Sequence, residues 1–148
     1  ARAPGETPAP MLLADGNEMC AAAAIFAGGG FFGGYPITPS TEIMQFLGRE
    51  LWKHGGVVLQ AEDEIAGAGA AVGASFAGRK AMTATSGPGM SLKTEMLGLA
   101  SIAELPLVCV NVQDEIVFAC VATELLEPVA RARMHRMGRH TDSHARLA

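Results

Sequence analysis

Two short stretches of the sequence carry residue types that could do chemistry. Residues 34–40 read Gly-Tyr-Pro-Ile-Thr-Pro-Ser, and residues 62–64 read Glu-Asp-Glu directly before a run made almost entirely of Ala and Gly. The hydroxyl groups of Thr38 and Ser40 can bond the oxygen atoms of a ligand, and a carboxylate such as that of Glu64 can exchange a proton with one. The sequence therefore predicts one ligand site that uses both stretches.

The first stretch predicts a corner between a strand and a helix. An apolar segment, residues 31–35, leads into Pro36, and the restricted backbone angles of Pro36 and Pro39 suit such a corner. Corners of this kind lie at the carboxyl edge of a parallel sheet, where ligands bind in open α/β folds. Thr38 is also a good helix N-cap, with Pro39 at the first helical position. Capping of the helix and contact with a ligand can coexist at this residue.

The helix predicted after Glu64 contains three glycines, at 67, 69 and 73. Each glycine costs a helix about 1 kcal/mol relative to alanine, so another demand must favour these small residues. Close approach of a neighbouring backbone, a cofactor or a second subunit would be such a demand. The simpler alternative is that the acidic residues 62–64 cap a core helix and complement its dipole.

The composition predicts one folded domain with a large apolar core. The chain has 148 residues, of which 49% are hydrophobic and 18% charged, which argues against disorder. Its formal net charge of −4 provides no basic surface for nucleic acid. The apolar stretch 21–32 is short and rich in Gly and Ala, so we expect no membrane span and no membrane partner.

The three cysteines predict neither a disulfide framework nor a metal site. Cys20, Cys109 and Cys120 are far apart and form no Cys-x-x-Cys pair, so an iron–sulfur cluster on this chain is not expected. Residues 1–10 are rich in proline and lack the apolar core of a signal peptide. A reducing, cytoplasmic location fits both observations.

Helical and strand-like segments alternate from Gly16 onward, which is typical of a parallel sheet flanked by helices. The predicted helices cover residues 16–27, 40–53, 63–77 and 90–102, and the predicted strands cover residues 31–35, 57–60, 81–85 and 107–112. Right-handed crossovers would place helices on both faces of the sheet. We expect a flexible leader over residues 1–10, the folded domain over 11–113 and a divergent helical, basic tail over 114–148.

Five motifs occur in an order that resembles a known family. They are Gly-Asn-Glu at 16–18, the stretch 34–40, Gln-Ala-Glu-Asp-Glu at 60–64, Ala-Thr-Ser-Gly-Pro-Gly at 84–89 and Glu-Leu-Pro at 104–106. Over residues 11–113 the chain resembles the alpha subunit of 2-oxoacid:ferredoxin oxidoreductases, most of all the 2-oxoglutarate type. The resemblance implies the pyrimidine-binding domain of a thiamine diphosphate enzyme, an α/β fold with a parallel sheet.

The resemblance also implies roles for single residues. Glu64 would be catalytic: it would hydrogen-bond the aminopyrimidine of thiamine diphosphate and favour the imino tautomer that removes the thiazolium proton, with Glu62 as the nearby alternative. The residues implied to contact a ligand are Tyr35, Pro36 and Ile37 for the cofactor, and Thr38 and Ser86 for the 2-oxoacid.

The resemblance further implies that the chain does not act alone. A beta subunit would hold the diphosphate, its Mg²⁺ ion and an iron–sulfur cluster, so that the cofactor is shared between the two chains. Coenzyme A would be the co-substrate and ferredoxin the electron acceptor. The 2-oxoacid stays open among 2-oxoglutarate, pyruvate and branched-chain 2-oxoacids.

The sequence departs from the family after Gln113. Asp114 stands where the family has an arginine that anchors the substrate carboxylate, and no Gly-Gly-Pro-Ser loop follows. A carboxylate in that place would repel a 2-oxoacid. The departure keeps a second hypothesis open, namely a non-catalytic assembly or structural fragment of the same fold that lacks the substrate site.

Overall fold

The alternating pattern folds into a single sheet with helices on both faces. The structure is a computed structural model that describes residues 13–113 and the backbone of residues 116–121. The helices are α1 Gly16–Phe26, α2 Thr41–Glu50, α3 Glu64–Phe76 and α4 Pro88–Ile102, with a 3-10 turn at Leu51–His54. The strands are β1 Phe31–Gly34, β2 Val57–Gln60, β3 Ala81–Ser86, β4 Leu107–Gln113 and β5 Ile116–Val121.

The sheet has the spatial order β2-β1-β3-β4-β5. Its first four strands are parallel, as predicted, and each predicted helix and strand up to residue 113 is found with shifts only at its ends. The chain passes from β1 outward to β2 and then crosses back over β1 to β3. The order of connection therefore reverses between β1 and β3, and ligands bind open α/β sheets at such a point.

Apolar residues divide between the two faces because successive side chains of a strand point to opposite sides. Met82 and Ala84 of β3 pack against Ile43 and Leu47 of α2, in a cluster that also holds Ala21 of α1. The opposite face carries α3 and α4, whose buried members are Ala71, Val72 and Ala100, packed with Ala81 and Leu107. Helices thus cover both faces, as the crossover rule predicts.

The helix rich in alanine and glycine lies directly on β1. A Cβ atom added at Gly33 would overlap the carbonyl oxygen of Gly67, and one added at Gly67 would lie 2.9 Å from the Cα of Gly34. Of the three demands considered for the small residues, the close approach of a neighbouring backbone is the one that explains Gly67. It does not explain Gly73, where an added Cβ would meet nothing within 4 Å.

The prediction of a helical stretch directly after residue 113 is wrong for residues 116–121. These six residues form β5, which pairs antiparallel with β4 from Val108↔Val121 to Gln113↔Ile116. A short apolar run is compatible with either a helix or a strand, and the free edge of β4 provides the hydrogen bonds that decide for the strand. Residues 1–12, 114–115 and 122–148 lie outside the described residues, so the domain boundaries stay a prediction.

Candidate functional site

The candidate site lies where β1 and β3 separate. The two strands pair only at Phe31↔Ala81 and Phe32↔Met82, whereas β1 pairs with β2 along its whole length. From Gly33 onward β1 is therefore no longer paired with β3 toward the carboxyl ends of the two strands. The turn that follows β1 and the turn that follows β3 adjoin this unpaired part of the two strands, which lies at the point of connection reversal.

The turn after β1 is held by hydrogen bonds to its main chain. Ser40 donates to the carbonyl of Ile37 through its backbone N–H, at 2.8 Å, and through its Oγ, at 2.9 Å. Asn17 of α1 donates from Nδ2 to the carbonyl of Pro39 at 2.9 Å. These bonds leave the turn rigid, with Tyr35 and Thr38 exposed.

Thr38 is not the N-cap of α2. The cap position is occupied by Ser40, whose side chain makes no capping bond to the helix. No described residue hydrogen-bonds the hydroxyl of Thr38, and this residue is exposed. The capping role predicted as an alternative for Thr38 is therefore wrong, and its hydroxyl is available to a ligand.

Ser86 joins the turn after β3 to the turn after β1. Its Oγ donates to the carbonyl oxygen of Thr38 at 2.8 Å, and the residue is buried. The structure thus brings the two predicted substrate residues together. The donated proton of Ser86 is used within the protein, so its direct contact with substrate stays a prediction.

Asp63 caps the N-terminus of α3. Its Oδ1 accepts the backbone N–H of Ala66 at 2.7 Å, while Glu62 is exposed. Glu64, the first helical residue, is only 7% exposed, and no described residue donates a hydrogen bond to its carboxylate. Capping therefore accounts for Asp63 and leaves the burial of Glu64 to be explained, because a buried carboxylate requires compensation.

The turn after β3 also touches Glu64. A Cβ atom added at Gly89 would lie 3.1 Å from Oε1 of Glu64 and would overlap Oγ1 of Thr85. The turn begins at Gly87, whose φ of +47° lies in the region that favours glycine. The segment 86–89 thus bonds the carbonyl of Thr38 through Ser86 and comes close to the Glu64 carboxylate at Gly89, near the start of α4.

One buried residue of this region was missed by the sequence analysis. Lys93 of α4 is 0% exposed, and its Nζ donates to Oγ1 of Thr83 at 2.9 Å and to the backbone carbonyl of Glu64 at 3.3 Å. Burial lowers the pKa of Lys93, against the opposing effect of the nearby Cys109, Glu64 and Asp63. The spacing could have revealed it, because Gly89, Lys93 and Ala100 are the buried residues of α4 and recur at helical intervals.

Two further polar atoms are buried close to this region without a partner. Oγ1 of Thr85 and Oδ1 of Asn111 form no hydrogen bond with any described residue, and the two residues are neighbours in the β3–β4 register. Among the described residues, no group of three or more His, Cys, Asp or Glu side chains could hold a metal ion.

None of the helices described here is long and apolar enough to cross a membrane. Asp114 lies outside the described residues.

Near Glu64 the structure combines a buried carboxylate with a neighbouring position that carries no side chain. No residue that the structure describes donates a hydrogen bond to the carboxylate of Glu64, and Gly89 keeps the space beside it free of a side chain. Tyr35, Pro36 and Ile37 lie in the turn after β1, and Tyr35 is 39% exposed. Which of these three contacts a ligand stays a prediction.

One family of known proteins matches most of the chain. The family described as pyruvate flavodoxin/ferredoxin oxidoreductase, thiamine diphosphate-binding, matches residues 22–122. The match includes all four parallel strands and β5, so it extends beyond Gln113, where the sequence analysis placed the end of the resemblance.

Several curated proteins are similar to the chain over part of their length. The 2-oxoglutarate synthase subunit KorA of Methanocaldococcus jannaschii is 57% identical over 98 residues, which cover 66% of this chain and 27% of that protein. The ketoisovalerate oxidoreductase subunit VorB of Methanothermobacter marburgensis is 43% identical over 100 residues, covering 68% and 28%. The chain therefore spans about a quarter of the length of these relatives.

A solved structure has a similar fold. It is the 2-oxoglutarate:ferredoxin oxidoreductase from Magnetococcus marinus with 2-oxoglutarate, coenzyme A and succinyl-CoA bound. The TM-score is 0.66 at 49% sequence identity, and the match covers 68% of this chain and 18% of that chain.

Proposed function

The chain belongs to the pyruvate flavodoxin/ferredoxin oxidoreductase family of thiamine diphosphate-binding domains, and on this premise we propose that it is the pyrimidine-binding part of a 2-oxoacid:ferredoxin oxidoreductase alpha subunit. In that role it assists the oxidative decarboxylation of a 2-oxoacid to an acyl-coenzyme A, with electrons passing to ferredoxin. The observation that carries the proposal is Glu64, a buried carboxylate to which no described residue donates a hydrogen bond.

The residues around Glu64 fit the aminopyrimidine of thiamine diphosphate. When bound, this cofactor supplies a nucleophilic carbon and an electron sink for the decarboxylation. Glu64 hydrogen-bonds the pyrimidine ring nitrogen and holds or releases a proton at its carboxylate oxygen. Its weak solvation strengthens this interaction, because a hydrogen bond to a charged group gains strength away from water.

Thr38 and Ser86 have different roles in binding the substrate. Thr38 donates its free, exposed hydroxyl to a carboxylate or carbonyl oxygen of the 2-oxoacid. Ser86 holds the carbonyl of Thr38 in place through the 2.8 Å bond from its Oγ. A hydroxyl held on a rigid turn orients its ligand without losing conformational freedom on binding.

The favoured substrate is 2-oxoglutarate. Relatives at 56–57% identity are named 2-oxoglutarate synthase subunits, whereas the ketoisovalerate oxidoreductase subunits are 42–43% identical. The related solved structure holds 2-oxoglutarate and coenzyme A. We propose the same two ligands as substrate and co-substrate of the assembled enzyme that contains this chain. We place this enzyme in the cytoplasm.

The remaining parts of the active site belong to a partner. The relatives are named as subunits, and we assign to this chain only the pyrimidine side of the cofactor site. A beta subunit supplies the diphosphate site with its Mg²⁺ ion and the iron–sulfur cluster. The catalytic centre then lies at the interface between the two chains.

Co-expression with a candidate beta subunit tests the proposal. The purified complex is expected to bind thiamine diphosphate and to reduce a dye when 2-oxoglutarate and coenzyme A are added. Cofactor binding without dye reduction by 2-oxoglutarate, pyruvate or a branched-chain 2-oxoacid would support the second hypothesis, an assembly fragment without a substrate site. The observation that favours this second hypothesis is the acidic Asp114 in the place of the family's arginine.

The isolated chain is expected to bind thiamine diphosphate with a Kd weaker than about 0.1 mM, since it leaves the charged diphosphate without its metal site. Titration calorimetry on the purified chain in the presence of Mg²⁺ measures this affinity. A Kd of about 1 μM without a partner would mean that the chain holds a complete cofactor site.

Ser86→Ala in the assembled enzyme is expected to raise the KM for the 2-oxoacid about fivefold, because loss of a hydrogen bond of about 1 kcal/mol frees the Thr38 turn. Steady-state kinetics at saturating cofactor is the measurement. Ser101→Ala, at an exposed position near the end of α4, is the matched control and should leave the KM unchanged. An unchanged KM in Ser86→Ala would show that the bond to Thr38 does not position the substrate.

A further inference from the structure

Glu64 and Lys93 are the only buried charged residues in the part of the chain that the structure describes, and they lie together. Burial of an ammonium group is costly, and an apolar residue of similar length usually serves a core at least as well. α4 also has exposed positions on its other side, where a lysine would be fully solvated. The placement of Lys93 beside the one other buried charge therefore calls for a specific reason.

The contacts of Lys93 join three elements at the first turn of α3. Its Nζ donates to Oγ1 of Thr83 on β3 and to the main-chain carbonyl of Glu64 on α3, while Lys93 itself belongs to α4. The bond to Glu64 goes to the backbone and not to the carboxylate, and no described ion pair involves that carboxylate. Lys93 thus holds the residue and leaves its functional group free.

We propose that Lys93 is a positioning residue for Glu64. Its ammonium group fixes the first turn of α3 against β3 and balances the buried carboxylate, so that both carboxylate oxygens stay available to the aminopyrimidine. This inference rests on the proposed function. It adds a residue whose contribution is exerted through Glu64, without contact between Lys93 and the cofactor or substrate.

The test compares Lys93→Met with Lys80→Met in the complex with the beta subunit. Methionine keeps the length of the side chain and removes both hydrogen bonds and the charge. Lys80 is the matched control, since its Nζ also donates to a backbone carbonyl, that of Ala27 at 2.6 Å, but it is exposed and precedes the opposite, amino end of β3.

Lys93→Met is expected to lower kcat per bound cofactor about tenfold or more while the KM for the 2-oxoacid changes less than about threefold. The thiazolium proton of the bound cofactor, followed by its exchange with deuterated water in the absence of substrate, should exchange more slowly by a similar factor. Amide hydrogen exchange in the cofactor-free complex should be faster over the first turn of α3. Lys80→Met should change none of these three quantities.

Glu64→Gln distinguishes a failure of the proposed function from a failure of the positioning role of Lys93. If it leaves the thiazolium proton exchange unchanged, the proposed function fails. If Glu64→Gln slows that exchange and Lys93→Met does not, only the positioning role of Lys93 is overturned. A merely structural role would reduce the amount of assembled complex but leave kcat per bound cofactor normal, and that result also overturns the inference.

If the Lys93→Met chain does not assemble with the beta subunit, Thr83→Val provides a second test of the proposal. It removes one acceptor of the ammonium group in a nearly isosteric way and leaves Lys93 in place. We expect thiazolium proton exchange to be about fivefold slower than in the unaltered complex, in line with the loss of one hydrogen bond of about 1 kcal/mol or more. Normal exchange in an assembled Thr83→Val complex would then overturn the proposal.

Discussion

Glu64→Gln in the assembled enzyme is expected to lower kcat about 100-fold or more with the fold intact, because an amide cannot take the proton that cofactor activation requires. The side chain has the same size and occupies a buried position without a hydrogen bond from any described residue, so packing around it is preserved. Single-turnover and steady-state kinetics at saturating thiamine diphosphate give the ratio. Turnover near that of the unaltered enzyme would remove Glu64 from the mechanism.

Glu62→Gln is the matched control for this experiment. Glu62 lies two residues before Glu64 and is exposed, so its loss of charge should change kcat less than about twofold, as is usual for exposed surface positions. A large loss in Glu62→Gln together with a small loss in Glu64→Gln would transfer the catalytic role to Glu62.

Gly67→Ala is expected to lower the free energy of unfolding of the chain by about 1–3 kcal/mol, the range typical of a group forced into a packed interior. The added Cβ would lie 2.9 Å from the Cα and 3.1 Å from the backbone nitrogen and carbonyl carbon of Gly34. Backbone atoms cannot turn aside as a side chain can, so α3 must shift away from β1. Denaturant unfolding followed by circular dichroism measures the change.

Gly73→Ala provides the opposite result in the same helix. An added Cβ at Gly73 meets nothing within 4 Å, so the substitution should raise the free energy of unfolding by about 0.5–1 kcal/mol through helix propensity alone. Equal effects of the two substitutions would mean that α3 does not pack on β1 as described. A shift of α3 would also displace Glu64, so Gly67→Ala should reduce turnover as well.

Much of the fold could be predicted from the sequence because its signals are local. Alternation of apolar strands with helical segments predicted four parallel strands, and the structure confirms all four. The strand after residue 113 could not be predicted in the same way. Its apolar run becomes a strand through pairing with the free edge of β4, and that edge exists only once the sheet has formed.

The sequence by itself predicted that Thr38, Ser86 and Glu64 belong to one site, through the family resemblance that five motifs carry. Only the tertiary structure decided how they are arranged: Ser86 donates to the carbonyl of Thr38, and Asp63 takes the capping role that leaves Glu64 free. It also decided that Lys93 points inward beside Glu64. The physical reason is that such contacts join segments far apart in the chain, and their geometry depends on strand order and helix orientation, which short-range residue patterns do not specify.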